Sequence, residues 1–405
     1  MENRNISKQI QVVSVGPDVR VQGGVSRVIE LISSRIPAHV RFRHVPTFTS
    51  YTGADGLDAA QRGSRLRQGL VFARAFARVL KAAVRRQTIF HVHFAVRGSL
   101  IRKGLLCAGL RTLRCTYVVH SHVGETNMFY PWVPQLCRRL ILWGIGGADR
   151  FIVLTQFWRD YFASLLRLPP NRLLLLPNPA NIPECVPDRL HRRGLRLLFL
   201  GRMSEMKGAF DSIRAFAQLP DEVRSHCSLT LAGDGEVDAV ASLAAQSGCS
   251  ERVSIRAWVG PKEVEALLRD SDLFLLPSYA EGMSMALIEA MSWALAVVTT
   301  DVGGAQAFLK HGNNGILLAP GDVTGISGAI CELYHDPQKR VDLGTAARKT
   351  MRQFAIEGYM AKLSALYEEL AGLQGREQAA PSSVASHARR FSPSPAKTQA
   401  VVKLD

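Results

Sequence analysis

Two cations share one short turn in Gly201-Arg202-Met203-Ser204-Glu205-Met206-Lys207-Gly208, each with a glycine beside it. That is chemistry for a diphosphate: arginine supplies a forked donor and lysine a mobile point charge. Each charge-assisted hydrogen bond contributes roughly 1.5 to 3 kcal/mol. Without a ligand, the same pair would be ordinary surface cations in a turn. About seventy residues later, Leu273-Phe-Leu-Leu-Pro-Ser-Tyr-Ala-Glu281-Gly-Met-Ser-Met-Ala-Leu-Ile-Glu289 sets two carboxylates at the exit of an apolar run. Carboxylates there suit ligand hydroxyls, which donate hydrogen bonds. His120 ends another apolar run, where an imidazole can bond a hydroxyl or shuttle a proton near neutral pH. The doublet Gly23-Gly24 lets backbone approach a ligand closely, and the helix that follows offers unpaired N–H groups.

These residues need a scaffold that gathers them at one edge, and the chain alternates strand and helix throughout. Apolar runs at 10–15, 89–94, 116–119, 151–154, 173–176, 197–200, 229–232, 253–255, 273–276 and 296–300 read as buried strands. Pro277 ends the 273–276 run because proline cannot donate to a ladder, and helical spacing resumes near Ser284. A helix is expected from about Ala209 to Leu219, and the doublet Gly303-Gly304 marks another helix start. Pro177-Asn178-Pro179 breaks the pattern, residues 180–194 lack periodicity, and a second alternation then begins. Two doubly wound α/β domains are the natural reading. In open sheets of this kind ligands sit at the carboxyl ends of the strands, so Arg202, Lys207, Glu281, Glu289 and Gly304 can meet at one edge of the second domain. Gly24 and His120 meet at the matching edge of the first. Trp258-Val259-Gly260 either lines a base pocket or packs in the core. Residues 340–370 are expected to be helical and to return to the first domain, and 373–405 to form a disordered tail.

A length of 405 residues with 47% hydrophobic and 21% charged content fits an ordinary globular chain of two to three domains. Seven cysteines without C-x-x-C spacing read as reduced thiols, and the polar stretch Met1–Gln11 lacks the apolar core of a signal peptide. A cytoplasmic location without a transmembrane helix is expected. The net charge of +16 is concentrated: no acidic residue occurs between Asp58 and Glu125. Within that interval, Arg65 to Arg86 reads as a basic amphipathic helix, suited to an anionic membrane surface or to a solvated face. No nucleic-acid motif accompanies the charge, so no nucleic-acid partner is expected. G-x-G-x-x-G spacing is absent, which disfavours a nicotinamide enzyme.

Taken together, Gly23-Gly24, His120, Pro177-Asn178, G-R-x4-K-G at 201–208, A-G-D-G at 232–235 and E-x7-E at 281–289 resemble the GT4 family of retaining glycosyltransferases. The likeness spans roughly residues 10 to 370. It implies the GT-B fold: two Rossmann-like domains facing a cleft, with an acceptor domain at 1–179, a nucleotide-sugar domain at 180–350, and a helix at 351–372 packing back on the first. It also implies that Arg202 and Lys207 clamp the diphosphate and Glu289 holds the ribose. Glu281, with the backbone of Gly282, Met283 and Ser284, would hold the donor sugar's hydroxyls; His120 would lie on the sugar side, and Gly23-Gly24 near the phosphate. Pro179 stands where the family usually has glycine.

The segment after His120, with Glu125, Phe129 and Tyr130, is similar to bacterial exopolysaccharide and lipopolysaccharide transferases. The implied reaction moves a sugar from a UDP- or GDP-linked donor to a lipid-linked or saccharide acceptor at the inner face of the cell membrane. Fixed cations would stabilise the departing diphosphate, so neither a metal nor another cofactor is expected. No carboxylate nucleophile is evident on the first domain, which favours same-face attack by the acceptor hydroxyl. Alternatives are another GT-B activity, such as an epimerase or phosphorylase, and a non-catalytic subunit of a polysaccharide assembly complex.

Overall fold

In the computed structural model, residues 9–21, 23–49, 60–84, 87–257 and 259–379 are described, with backbone only at 60–66 and 373–379. The first half contains β1 (Ile10–Gly16), α1 (Gly24–Ser33), β2 (Val40–Pro46), α2 (Ala60–Ala83), β3 (Thr88–Phe94) and α3 (Gly98–Thr112). It continues with β4 (Thr116–Ser121), α4 (Gln135–Gly146), β5 (Arg150–Val153), α5 (Gln156–Leu166) and β6 (Leu173–Leu175). The second half runs β7 (Leu195–Leu200), α6 (Ala209–Ala217), α7 (Asp221–Arg224), β8 (Cys227–Ala232), α8 (Val237–Gln246), β9 (Val253–Arg256) and α9 (Pro261–Asp270). It ends with β10 (Leu273–Leu276), α10 (Met285–Ser292), β11 (Ala296–Thr300), β12 (Ile316–Leu318), α11 (Val323–His335), α12 (Pro337–Met351) and α13 (Ile356–Ala379).

Both sheets have six strands, in the orders β2-β1-β3-β4-β5-β6 and β12-β11-β10-β7-β8-β9, and every pairing is parallel. Parallel strands are covered on both faces, which is why they read as continuous apolar runs: β3, β10 and β11 are buried at every position. Alternation sorts the first sheet's side chains. Phe90, Val92 and Phe94 join Val79, Leu106 and Ile141 beneath α2, α3 and α4. Ile89 and Val118 join Val28 and Ile32 of α1 in a core continuous with the second domain. The winding direction reverses between β1 and β3 in one sheet and between β7 and β10 in the other, and crevices open at those points.

Two chain crossings join the halves side by side. Ala180 N donates to Phe354 O at 2.8 Å and Ile356 N to Ala180 O at 3.0 Å. Helix α13 then returns to the first sheet, where the Tyr367 hydroxyl meets His91 Nδ1 at 2.7 Å.

Several expectations are corrected. The helical stretch at 340–370 is interrupted by a 3-10 turn at Arg352–Phe354 and an extended Ala355, because the chain must cross between domains there. Helix α13 continues to Ala379, past the start of the expected tail; residues 380–405 lie outside the described residues. The strand expected at 116–119 extends to Ser121, and an unforeseen edge strand, β2, pairs with β1. A 3-10 turn at Ala305–Ala307, not an α-helix, follows Gly303-Gly304. The basic helix begins at Ala60 and ends at Ala83; Arg85, Arg86 and Trp258 lie outside the described residues.

Candidate active site

The second domain's switch point carries most of the predicted residues. After β7, Glu205–Lys207 forms a 3-10 turn that Gly208 closes at φ 71°. A Cβ on Gly208 would lie 2.1 Å from the Pro277 carbonyl, so only glycine lets this turn nest against the β10 exit. The nesting brings Lys207 Nζ to 2.7 Å from Glu281 Oε1, and Ser278 Oγ donates to the same oxygen at 3.0 Å. The expected cationic and hydroxyl-binding halves are therefore in direct contact, Lys207 neutralising Glu281. Arg202 is further out: two-thirds exposed, with its guanidinium 3.9 Å from the Asp234 carboxylate of the β8 exit.

The loop between Glu281 and α10 offers backbone as well as charge. Ser284 caps α10 by accepting from Leu287 N, while among the described residues the amides of Gly282, Met283 and Ser284 donate to no protein acceptor. Three adjacent free N–H groups beside a helix start make an anion- or hydroxyl-binding edge. A small crevice beside Glu281 is lined by Ser284, Thr300, Val302 and Ala305.

The first domain closes over this loop. A Cβ on Gly124 would stand 2.6 Å from Gly282 N, so the two domains meet there backbone to backbone. Asn178 Nδ2 donates to the Met283 carbonyl at 2.9 Å, fixing the domain crossing to the loop. Gly23 sits at the N-cap of α1 with open space where a Cβ would be, and a Cβ on Gly24 would be 3.4 Å from Met285 Cγ. Across the same cleft, Arg27 Nε donates to Glu289 Oε1 at 2.7 Å and Arg27 also reaches Glu30. Burial raises the Glu289 carboxyl above the usual range, and Arg27 opposes that shift. Arg27 was not singled out in the sequence because its partner is 262 residues away.

His120 differs from expectation in its burial. It stands one residue before the end of β4, at the strand exit where the sequence places it, but it is fully buried, and it faces His93 across the β3–β4 register. His91 Nε2 and His120 Nδ1 are 3.2 Å apart, and His93 Nδ1 and His122 Nε2 are 3.1 Å apart. Four imidazoles thus stack on the face turned toward α13. Burial, reinforced by the neighbouring rings, holds His93 and His120 far below the ordinary histidine range, and His120 Nε2 has no protein partner. His120 is consequently a neutral ring with one nitrogen free. Its companions His91, His93 and His122 were passed over, although H-x-H at 91–93 and again at 120–122 puts both pairs on one sheet face. Ring nitrogens of His91, His93 and His120 lie within 4.8 Å of one another, close enough to be drawn around one cation. A D-x-D pair, expected to be absent, is present at Asp270-Ser271-Asp272, but it lies at the entry to β10, away from the site; Asp272 is tied to Arg192 and to the Arg196 amide.

Comparison with known proteins covers both halves. Residues 12–179 match the family described as glycosyl transferase 4-like domain, and residues 190–350 match glycosyl transferases group 1. Similar curated proteins include 2-deoxystreptamine N-acetyl-D-glucosaminyltransferase of Niallia circulans, 25% identical over 80% of this chain and 85% of that protein. D-inositol 3-phosphate glycosyltransferase of Corynebacterium jeikeium is 29% identical over 72% and 75%. In fold, the chain is similar to sucrose-phosphate synthase of Thermosynechococcus elongatus, with TM-score 0.68, 18% identity and coverage of 90% and 100%. It is also similar to Anabaena Alr3699/HepE solved with UDP and glucose, with TM-score 0.66, 16% identity and coverage of 89% and 100%.

Proposed function

The chain belongs to the GT4-like glycosyltransferases of GT-B fold, and from that premise we propose that it moves a sugar from a nucleoside diphosphate to a lipid-linked or saccharide acceptor, with retention of configuration and without a metal. The observation that carries the donor half is the loop at 281–284, where free amides adjoin a carboxylate already paired with Lys207. A bound donor would split that pair. The diphosphate takes Lys207 and Arg202, and the sugar hydroxyls take Glu281 and the amides of Gly282, Met283 and Ser284. The ribose takes Glu289, and Arg27 swings from it toward Glu30. His120 is kept neutral by burial with Nε2 lacking a protein partner, and on this reading that nitrogen serves the sugar side.

In the transfer step the bond from the sugar's anomeric carbon to the diphosphate breaks and a bond to the acceptor oxygen forms on the same face. The acceptor hydroxyl's proton passes to the departing phosphate oxygen. Negative charge grows on that diphosphate, and fixed cations there favour the transition state over the ground state. Residues 1–179 hold the acceptor, 180–350 hold the donor, and 351–372 brace the first domain. The setting is cell-surface polysaccharide assembly on the cytoplasmic side of the membrane. A relative named for an inositol phosphate and a fold neighbour solved with UDP and glucose support a nucleotide donor and a polar acceptor.

Calorimetry with UDP and GDP, followed by turnover of the matching nucleotide sugars with and without acceptor, tests the reading. One diphosphate is expected to bind, and its sugar to be consumed only with acceptor. Binding of neither removes the donor site, and conversion of the donor alone points to an epimerase.

A further inference from the structure

Among its described residues, helix α2 exposes one large apolar side chain, Leu70 at 59%. Ala75 and Val79 are buried against the first domain's core, and Phe76 packs toward Gly109 of α3, leaving Arg74, Arg78 and Lys81 outward. The apolar surface is on α4. Leu136, Leu140 and Trp143 recur at i, i+4 and i+7 and are 77%, 45% and 43% exposed; Trp132, just before the helix, is 72% exposed. The opposite side of α4, with Ile141, Gly144 and Ile145, is buried. A Cβ on Gly144 would stand 2.6 Å from the Gly104 carbonyl, so α3 and α4 lie almost backbone to backbone as one continuous surface.

Charge decides what covers it. Residues 59–148 contain a single acidic residue, Glu125, which faces Arg97. Arg139 lies on the same stripe as Leu136 and Trp143, exposed and without an ion pair among the described residues, and the Arg111 guanidinium lies 4.4 Å over the Trp143 ring. Exposed leucines and tryptophans among unpaired arginines match an interface where apolar groups enter acyl chains and cations meet anionic headgroups. A second copy would set two like-charged faces together, which electrostatics opposes.

We propose that the outward stripe of α4, with Trp132, docks this protein on an anionic lipid surface, while α2 adds only long-range attraction. The inference deepens the reading of a membrane-side glycosyltransferase and rests on it.

The test uses the full chain with vesicles of phosphatidylcholine alone and with added phosphatidylglycerol. Wild type is expected to co-sediment with the anionic vesicles, and brominated lipids to quench its tryptophan fluorescence. Leu136→Gln/Leu140→Gln should weaken partitioning by about tenfold or more, with turnover of a water-soluble acceptor and thermal stability unchanged. Arg74→Glu/Arg78→Glu should lower binding only at low salt. Wild-type partitioning by the α4 double variant, or no vesicle binding by an active wild type, overturns the proposal. A wild-type dimer that the double variant dissolves would assign the face to a second copy. Loss of nucleotide binding in the wild type would instead strike at the glycosyltransferase site itself.

Discussion

Replacing Lys207 by alanine separates a catalytic cation from a structural one. Its ammonium is 2.7 Å from Glu281 Oε1, with the two side chains 31% and 14% exposed. A partly exposed pair of this kind contributes about 1 kcal/mol or less to folding, equivalent to a melting shift of about 2–4 °C for a domain of this size. The catalytic effect should be larger. At ~3 Å and an effective dielectric of ~20, a unit charge interacts with about 5 kcal/mol. If the leaving diphosphate gains about half a charge in the transition state, the lysine supplies about 2–3 kcal/mol, in line with a charge-assisted hydrogen bond. That corresponds to a loss of about 30- to 150-fold in kcat. The assay is release of nucleoside diphosphate at saturating donor and acceptor, with a single-turnover arm to isolate chemistry and a thermal melt on the same sample. Lys207→Arg should recover part of the rate because the charge remains. A Lys207→Ala variant with kcat within about threefold of wild type would refute the reasoning, since the lysine would then serve only to hold Glu281.

Two further outcomes follow from the buried histidines. Burial, helped by the charge of His122, pushes His91 down to about 3 from 6.5, and burial, helped by Lys103, does the same to His122. The folded-state values are depressed, so the unfolded chain binds more protons below 6.5. Stability should be fully present above about pH 6.5 and fall toward pH 3, by about 1.4 kcal/mol per pH unit for each such histidine. Urea midpoints at pH 7.5 and 5.5 check this, and equal midpoints would show that the rings are not held neutral. Tyr367→Phe leaves His91 Nδ1 buried without its partner and should cost about 1–3 kcal/mol. It should lower the melting temperature while leaving nucleoside diphosphate affinity unchanged, because it unpins α13 from the first sheet only.

Strands buried on both faces were legible because they need uninterrupted apolar residues: Leu273–Leu276 and Ala296–Thr300 fall where their runs fall. Edge strand β2 was missed although Val40-Arg41-Phe42-Arg43 alternates as a half-buried strand does, because only continuous apolar runs were read as strands. The helical period at 340–370 carries no mark of the break at Ala355, which exists because the backbone there pairs with Ala180. Membrane contact was sought on α2 because its sequence combines apolar spacing with arginines. Which side of an amphipathic helix is used internally depends on neighbours that no local pattern reveals.

Composition, periodicity and the spacing of Arg202, Lys207, Glu281 and Glu289 were enough to determine an α/β chain that gathers two cations and two carboxylates at the carboxyl edge of its second sheet, because apolar runs and breakers set where each strand ends. Tertiary structure alone decided that Lys207 neutralises Glu281, that Arg27 occupies Glu289 from the other domain, and that His120 is a buried neutral ring in a stack of four. Those facts depend on close approach between residues tens to hundreds of positions apart, and on the low dielectric that such packing creates.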